Sequence, residues 1–137
     1  LSVIADMSVV LALLFEEKQT AQAKTILLRI GDEGLLVPPP WWSELENGIL
    51  VGERRGRTTA AQSAEFLKLV RALPIQTDDA PAHRISDDIL VLGRKHHLTG
   101  YDATYLELAV RKKMPLATFD AELRRCAPKT GVTILPR

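Results

Sequence analysis

The chain has 137 residues, 46% hydrophobic and 26% charged, with a formal net charge of +1. That length suits one domain with a sizeable core, and that composition excludes disorder. The near balance of charge excludes any argument for a nucleic-acid partner from bulk electrostatics, so only the distribution of charge can favour one. A single cysteine, Cys126, excludes an internal disulfide and predicts a reducing, cytoplasmic setting. No apolar run approaches the roughly 20 residues of a membrane helix, so no membrane partner is expected. Asp6 and the lack of a basic leader predict no signal peptide.

In chain order, Val3–Ala5 reads as a buried strand and Ser8–Phe15 as a short helix, apolar nearly all round. Thr20–Ile30 is a helix with Ala23, Ile26, Leu27 and Ile30 on one stripe, ended by "GDEG". Leu35–Val37 is a second strand, closed by "PPP", and Trp41–Arg55 a helix stopped by Gly56. Thr59–Leu73 is a helix with a stripe at Phe66, Leu67, Val70 and Leu73. Ile75–Thr77 is a brief third strand, and Pro81–His97 a helix with Ala82, Ile85, Ile89 and Leu92 on its apolar side. Tyr101–Met114 is a helix, Pro115–Phe119 a fourth strand, Ala121–Ala127 a short helix and Val132–Leu135 a last strand. Apolar periodicity and breaker residues carry these assignments. Strands alternating with helices predict one α/β domain over residues 1–137, a three-layer α/β/α sandwich with a short parallel central sheet.

In such a sheet the ligand site lies outside the C-terminal ends of the strands. The first strand ends on Asp6, and the fourth, within "MPLATFDAEL", ends on Asp120. Two further acids stand on apolar borders. Asp102 opens a helix and shares a face with Leu106 and Ala109; Glu44 sits beside a buried stripe, with Asn47 on its own face. An acid on an apolar face is costly unless paired or bound to metal, and four converging acids repel one another. A hard divalent cation resolves both problems, and Mg²⁺ prefers such oxygen ligands. Each acid also has a plainer reading. Asp6 and Asp120 suit helix N-caps, Asp102 suits a helix N-terminal dipole, and Glu44 suits a solvated helix surface.

The blocks "VIADMSVVLALL", "LLVPPPWWSELENGIL", "LTGYDATYLELAV" and "PLATFD", in this order, resemble the PIN-domain family and its VapC-like toxins. The resemblance covers nearly the whole chain. It implies a PIN-like fold and an endoribonuclease dependent on Mg²⁺ or Mn²⁺, hydrolysing RNA phosphodiester bonds with a metal-activated water. It further implies the toxin half of a type II toxin–antitoxin pair, a cognate antitoxin partner and a homodimer. The family's acidic metal positions map onto Asp6, Glu44, Asp102 and Asp120, with Ser8, Asn47 and Thr118 as polar neighbours. Met7 departs from the small residue commoner after the first acid, which bears on packing rather than on metal binding.

For RNA, "ERRGR" offers Arg54, Arg55 and Arg57, and "GRKHH" offers Arg94 and Lys95, as phosphate contacts; a solvated face is the alternative for each. Trp41 and Trp42 are expected in the core or a dimer interface rather than stacking on bases. His83, His96 and His97 are expected at the surface, and Glu46 exposed. Two other functions compete. One is a catalytically silent interaction module on the same fold. The other is a Mg²⁺-binding phosphoacceptor signalling domain, disfavoured because the first strand delivers only one acid.

Overall fold

The computed structural model describes residues 2–16 and 18–137. Among these described residues, five strands form one sheet, all parallel: β1 (Val3–Ala5), β2 (Leu35–Val37), β3 (Ile75–Thr77), β4 (Leu116–Ala117) and β5 (Ile134–Leu135). Their order is β3-β2-β1-β4-β5. Val3 and Ile4 stand opposite Leu35 and Leu36 on one side of β1, and Ile4 and Ala5 opposite Leu116 and Ala117 on the other. The chain therefore works outward from β1 to β3, then returns and works outward through β4 and β5.

Among the described residues, seven helices connect the strands: α1 (Met7–Phe15), α2 (Thr20–Glu33), α3 (Trp41–Arg54), α4 (Ala60–Arg71), α5 (Ala82–His96), α6 (Gly100–Lys112) and α7 (Ala121–Cys126). A 3₁₀ turn over Ala127–Thr130 follows α7. Parallel crossovers are right-handed, so reversing direction at β3 puts α1–α4 on one face of the sheet and α5–α7 on the other. The packing agrees: α1 contacts α2, α3 and α4, and α5 packs along α6. This is the three-layer α/β/α sandwich expected. β1 and β2 are buried throughout and read as continuous apolar runs, as central parallel strands do. β3 is an edge strand, with Gln76 and Thr77 exposed.

Several boundaries differ from the expectation. α2 does not stop at "GDEG"; it runs through Gly31, Asp32 and Glu33 and ends at Gly34. Gly34 has φ +93°, which glycine adopts without strain, and its N–H closes on Ile30 O. α4 starts at Ala60 because Thr59 and Gln62 form a capping box before it. α5 and α6 cover Ala82–His96 and Gly100–Lys112 rather than Pro81–His97 and Tyr101–Met114. β4 and β5 are shorter than expected, because only two residues of each pair with a neighbour.

His96 corrects an expectation outright. His83 and His97 are exposed, but His96 is buried, 6% exposed. The end of α5 is covered from α7, where Arg125 Nη2 donates to His96 O at 3.1 Å, and His96 Nε2 has no hydrogen-bond partner among the described residues. Trp41 is fully buried and meets Trp42 edge-on, with ring centroids 5.0 Å apart. Its Nε1 donates to Ala5 O at 3.2 Å and ties the start of α3 to the end of β1.

Candidate active site

The crevice of a doubly wound sheet opens where strand order reverses, here between β1 and β4. Asp6 leaves β1 at that point and Asp120 follows β4 two residues after Thr118. Two backbone bonds brace the junction, Ile4 N to Pro115 O and Asp6 N to Ala117 O, and a third, Thr118 N to Leu135 O, ties the end of β4 to β5.

Asp6 is buried, 5% exposed. Its Oδ1 accepts from Ser8 N at 3.0 Å, capping α1, and also from Ser8 Oγ. Its Oδ2 accepts from Thr118 Oγ1. Thr118 Oγ1 in turn accepts from Asp120 N at 3.0 Å, and Ser8 Oγ accepts from Phe119 N at 2.9 Å. Ser8 and Thr118 thus stitch the ends of β1 and β4 together through the Asp6 carboxylate. Asp120 caps α7, its Oδ2 accepting from Leu123 N at 3.0 Å. The cap readings of Asp6 and Asp120 are both realised. They do not displace a functional one, because a capping carboxylate still has lone pairs to offer.

Glu44 lies in the first turn of α3, half-buried, and Tyr105 Oη donates to its Oε2 at 3.1 Å. Its Oε1 is buried with no hydrogen-bond partner among the described residues. Asp102 lies in the first turn of α6, half-buried, and its N–H donates to the N-cap Thr99 Oγ1 at 3.2 Å. Asn47 is exposed. With Met7, Glu44 and Tyr101 it lines a cavity of about 560 Å³ between α1 and α3. Gly48 lets those helices close, since a Cβ there would stand 2.5 Å from Leu11 Cδ1.

The acids share one electrostatic neighbourhood. Burial pushes the Asp6 carboxyl up to about 6, against hydrogen bonds from Ser8 and Thr118 that pull it down. Burial raises Glu44 as well, and the charges of Asp6 and Asp102 add to that. Burial likewise raises Asp102, helped by Asp120 and Glu122. The ion pairs among the described residues use none of Asp6, Glu44, Asp102 or Asp120.

Asp78, at the end of β3, is a control within the same sheet. It too follows a strand and is buried, yet Arg111 Nη1 and Nη2 grip its two oxygens at 3.1 and 2.6 Å. Arg111 Nε also donates to buried Glu107 at 2.7 Å. The guanidinium beside Asp78 holds its carboxyl below the ordinary range. Buried acids are normally paired; Asp78 and Glu107 obey that rule and the Asp6 group does not.

Among the described residues, no three His, Cys, Asp or Glu side chains are gathered closely enough to hold a metal ion as they stand. Asp6, Glu44 and Asp120 are each held by donors of their own. The donor set is all oxygen, the charges of Asp6 and Asp102 raise the proton affinity of Glu44 and that of Asp120 raises Asp102, and among the described residues Glu44 Oε1 is a buried acceptor without a donor. A hard divalent cation fits these residues.

The basic candidates divide. α5 is followed directly by the loop into α6, so Arg94 and Lys95 lie in the last turn at the Asp102 end. Arg54, Arg55 and Arg57 lie at the other end of α3 from Glu44, about 15 Å of helix rise away. Arg57 stacks over the Phe15 ring at 4.2 Å. Arg55 and Arg57 line a second cavity, of about 230 Å³, that shares Leu11, Asn47 and Gly48 with the one beside Glu44.

Two residues of the site and one contact of a third escaped the sequence reading. Tyr105 carried a signal, three residues after Asp102 on one helix face. Arg124, four residues after Asp120, donates from Nη1 to Thr118 O at 2.9 Å and from Nη2 to Pro136 O at 2.8 Å, pinning the loop after β4. The Trp41 contact with Ala5 O had no local signal, being made across 36 residues.

Comparison with known proteins places the fold. The chain is similar to the crystal structure of PAE2754 from Pyrobaculum aerophilum, with 25% identity and a TM-score of 0.70, over 98% of this chain and 83% of that one. It is also similar to the structure of FitAB bound to an IR36 DNA fragment, with 16% identity and a TM-score of 0.63, over 97% of this chain and 93% of that one. At that second identity the likeness speaks for the fold alone. No curated protein matches the sequence. Residues 3–128 match the model of the PIN domain, and the chain belongs to the PIN-domain family.

Proposed function

We propose that this chain is an endoribonuclease dependent on Mg²⁺ or Mn²⁺, and the toxin of a toxin–antitoxin pair. PIN domains are generally nucleases. The observation that carries the reading is the unneutralised group of Asp6, Glu44, Asp102 and Asp120 at the β1/β4 crevice, set against the Arg111-paired Asp78 and Glu107 in the same fold.

Asp6, Asp102 and Asp120 would hold the ion, and Glu44 would complete the set directly or through water. When bound, such an ion acidifies water and offsets charge developing on phosphate oxygens. The chain does the rest. Ser8 and Thr118 fix the Asp6 carboxylate, Arg124 fixes the Thr118 carbonyl, and the burial of β1 and β4 keeps both strand ends in place. Arg94 and Lys95 would neutralise phosphates beside the acids. The groove between α1 and α3 would lead a strand from Glu44 toward Arg55 and Arg57. One domain over residues 1–137, a homodimer, a cognate antitoxin and a cytoplasmic setting belong to the same proposal. Among the described residues no helix is long and apolar enough to cross a membrane.

The test is cleavage of total RNA with Mg²⁺ or with chelator, with the ends mapped, for wild type, Asp6→Asn and Asp120→Asn. Metal-dependent cleavage lost in both folded variants is expected. Cleavage retained in either would sink the assignment, and an inert wild type would favour the silent interaction module. Cleavage of single-stranded DNA in preference to RNA would move the substrate class.

A further inference from the structure

Tyr105 lies on α6 one turn beyond Asp102, so the two side chains share a helix face. Its ring is buried, 2% exposed. Its hydroxyl crosses to α3 and donates to Glu44 Oε2 at 3.1 Å. A buried phenol needs a partner for its O–H, and this one gives its only proton to an acid of the site. The second oxygen of that acid, Oε1, is buried and, among the described residues, bare of donors. Leaving a buried carboxylate oxygen unpaired is unfavourable unless a cation meets it. A core-filling role would need only the ring, and phenylalanine would serve it equally well. What the hydroxyl adds is control over one oxygen of Glu44.

We infer that Tyr105 is a positioning residue, whose hydroxyl holds Glu44 Oε2 so that Oε1 is left as the oxygen offered to a divalent cation. This rests on the metal-site reading proposed above. Tyr105 touches neither substrate nor ion and acts through Glu44 alone, as donors behind metal-binding carboxylates commonly do.

The test uses Tyr105→Phe, Glu44→Gln and the double variant, titrated with Mn²⁺ and followed by the electron paramagnetic resonance signal of free ion. Phenylalanine keeps the ring, so Tyr105→Phe should melt in EDTA within a few degrees of wild type. Its Mn²⁺ affinity should fall about tenfold. The double variant should bind no more weakly than Glu44→Gln alone, because the hydroxyl then has no carboxylate to orient. In cleavage assays, the Mn²⁺ concentration needed for half-maximal rate should rise about tenfold, with the rate recovered at saturating Mn²⁺. A merely structural defect would instead lower the rate at every Mn²⁺ concentration. Equal Mn²⁺ affinity in wild type and Tyr105→Phe overturns the role, as does an additive loss in the double variant. A wild type that binds no Mn²⁺ overturns the metal-site reading itself, which is a different result from wild-type binding untouched by Tyr105→Phe.

Discussion

Replacing Asp6 by asparagine removes a buried charge while keeping the shape of the side chain. Burial pushes this carboxyl from its ordinary 3.8 up to about 6, a difference worth about 3 kcal/mol against the ionised folded state. The folded chain holds the proton up to about pH 6, whereas the unfolded chain releases it near 3.8. Between those values the folded state binds more protons, so stability falls as pH rises and stays low above the folded value. Asparagine has no such slope. Its Oδ1 can still accept from Ser8, and its amide can donate to Thr118 Oγ1, whose hydroxyl then accepts rather than donates. Losing the charge-assisted bonds costs about 1 kcal/mol. Asp6→Asn should therefore be more stable than wild type by about 1–2 kcal/mol at pH 7.5 in EDTA, a rise of roughly 4–8 °C in melting temperature. The advantage should shrink toward zero by pH 4.5. Asp102, raised by burial and by Asp120 and Glu122, slopes the same way in both proteins and cancels in the difference. Glu44 loses in the variant the part of its rise that the Asp6 charge supplies, which adds to the variant's advantage at pH 7.5. Asp78, held low by Arg111, loses its contribution only below that window. Urea denaturation from pH 4.5 to 8 measures the difference. A variant no more stable than wild type at pH 7.5, or an advantage equal at both ends, would refute the claim that Asp6 is a strained buried charge.

Millimolar Mn²⁺ should reverse that order, raising the wild-type melting temperature and leaving Asp6→Asn nearly unmoved, since an ion bound only by the folded state stabilises it; thermal melts with and without metal report this. Arg111→Met should cost about 3–5 kcal/mol, because it leaves Asp78 and Glu107 buried and unpaired, 2% and 4% exposed at the side chain. Adding Asp78→Asn and Glu107→Gln should recover most of that loss in urea denaturation. Trp41→Phe should cost about 1–3 kcal/mol, because it strands Ala5 O without its indole donor in a fully buried place. Equilibrium unfolding at pH 7 checks it.

The three strands whose bounds were read correctly, β1, β2 and β3, are short apolar runs closed by strong punctuation: Asp6, the prolines after Val37, and Asp78. Punctuation was a poorer guide where two glycines competed. Gly31 and Gly34 both sit near the end of α2, and only Gly34 adopts the positive φ that stops it. Exposure misled at His96, where local pattern places a polar residue near a helix end, but α7, some thirty residues on, covers it. Asp6, Glu44, Asp102 and Asp120 were legible because each stands at the end of an apolar element or on its border.

Periodicity, breaker residues and the four motif blocks were enough to specify an alternating α/β chain, its parallel sheet, its resemblance to the PIN family and a set of acids at element ends. They were not enough to say which acids stay free of a counter-ion. Asp78 ends a strand just as Asp6 does, and only Arg111, 33 residues away, separates their fates. Nor did they reveal that Glu44 is held from α6 by a tyrosine 61 residues further along the chain. Local sequence specifies what each segment can form. Which donors and charges meet across the sheet depends on distances that exist only once the chain has folded.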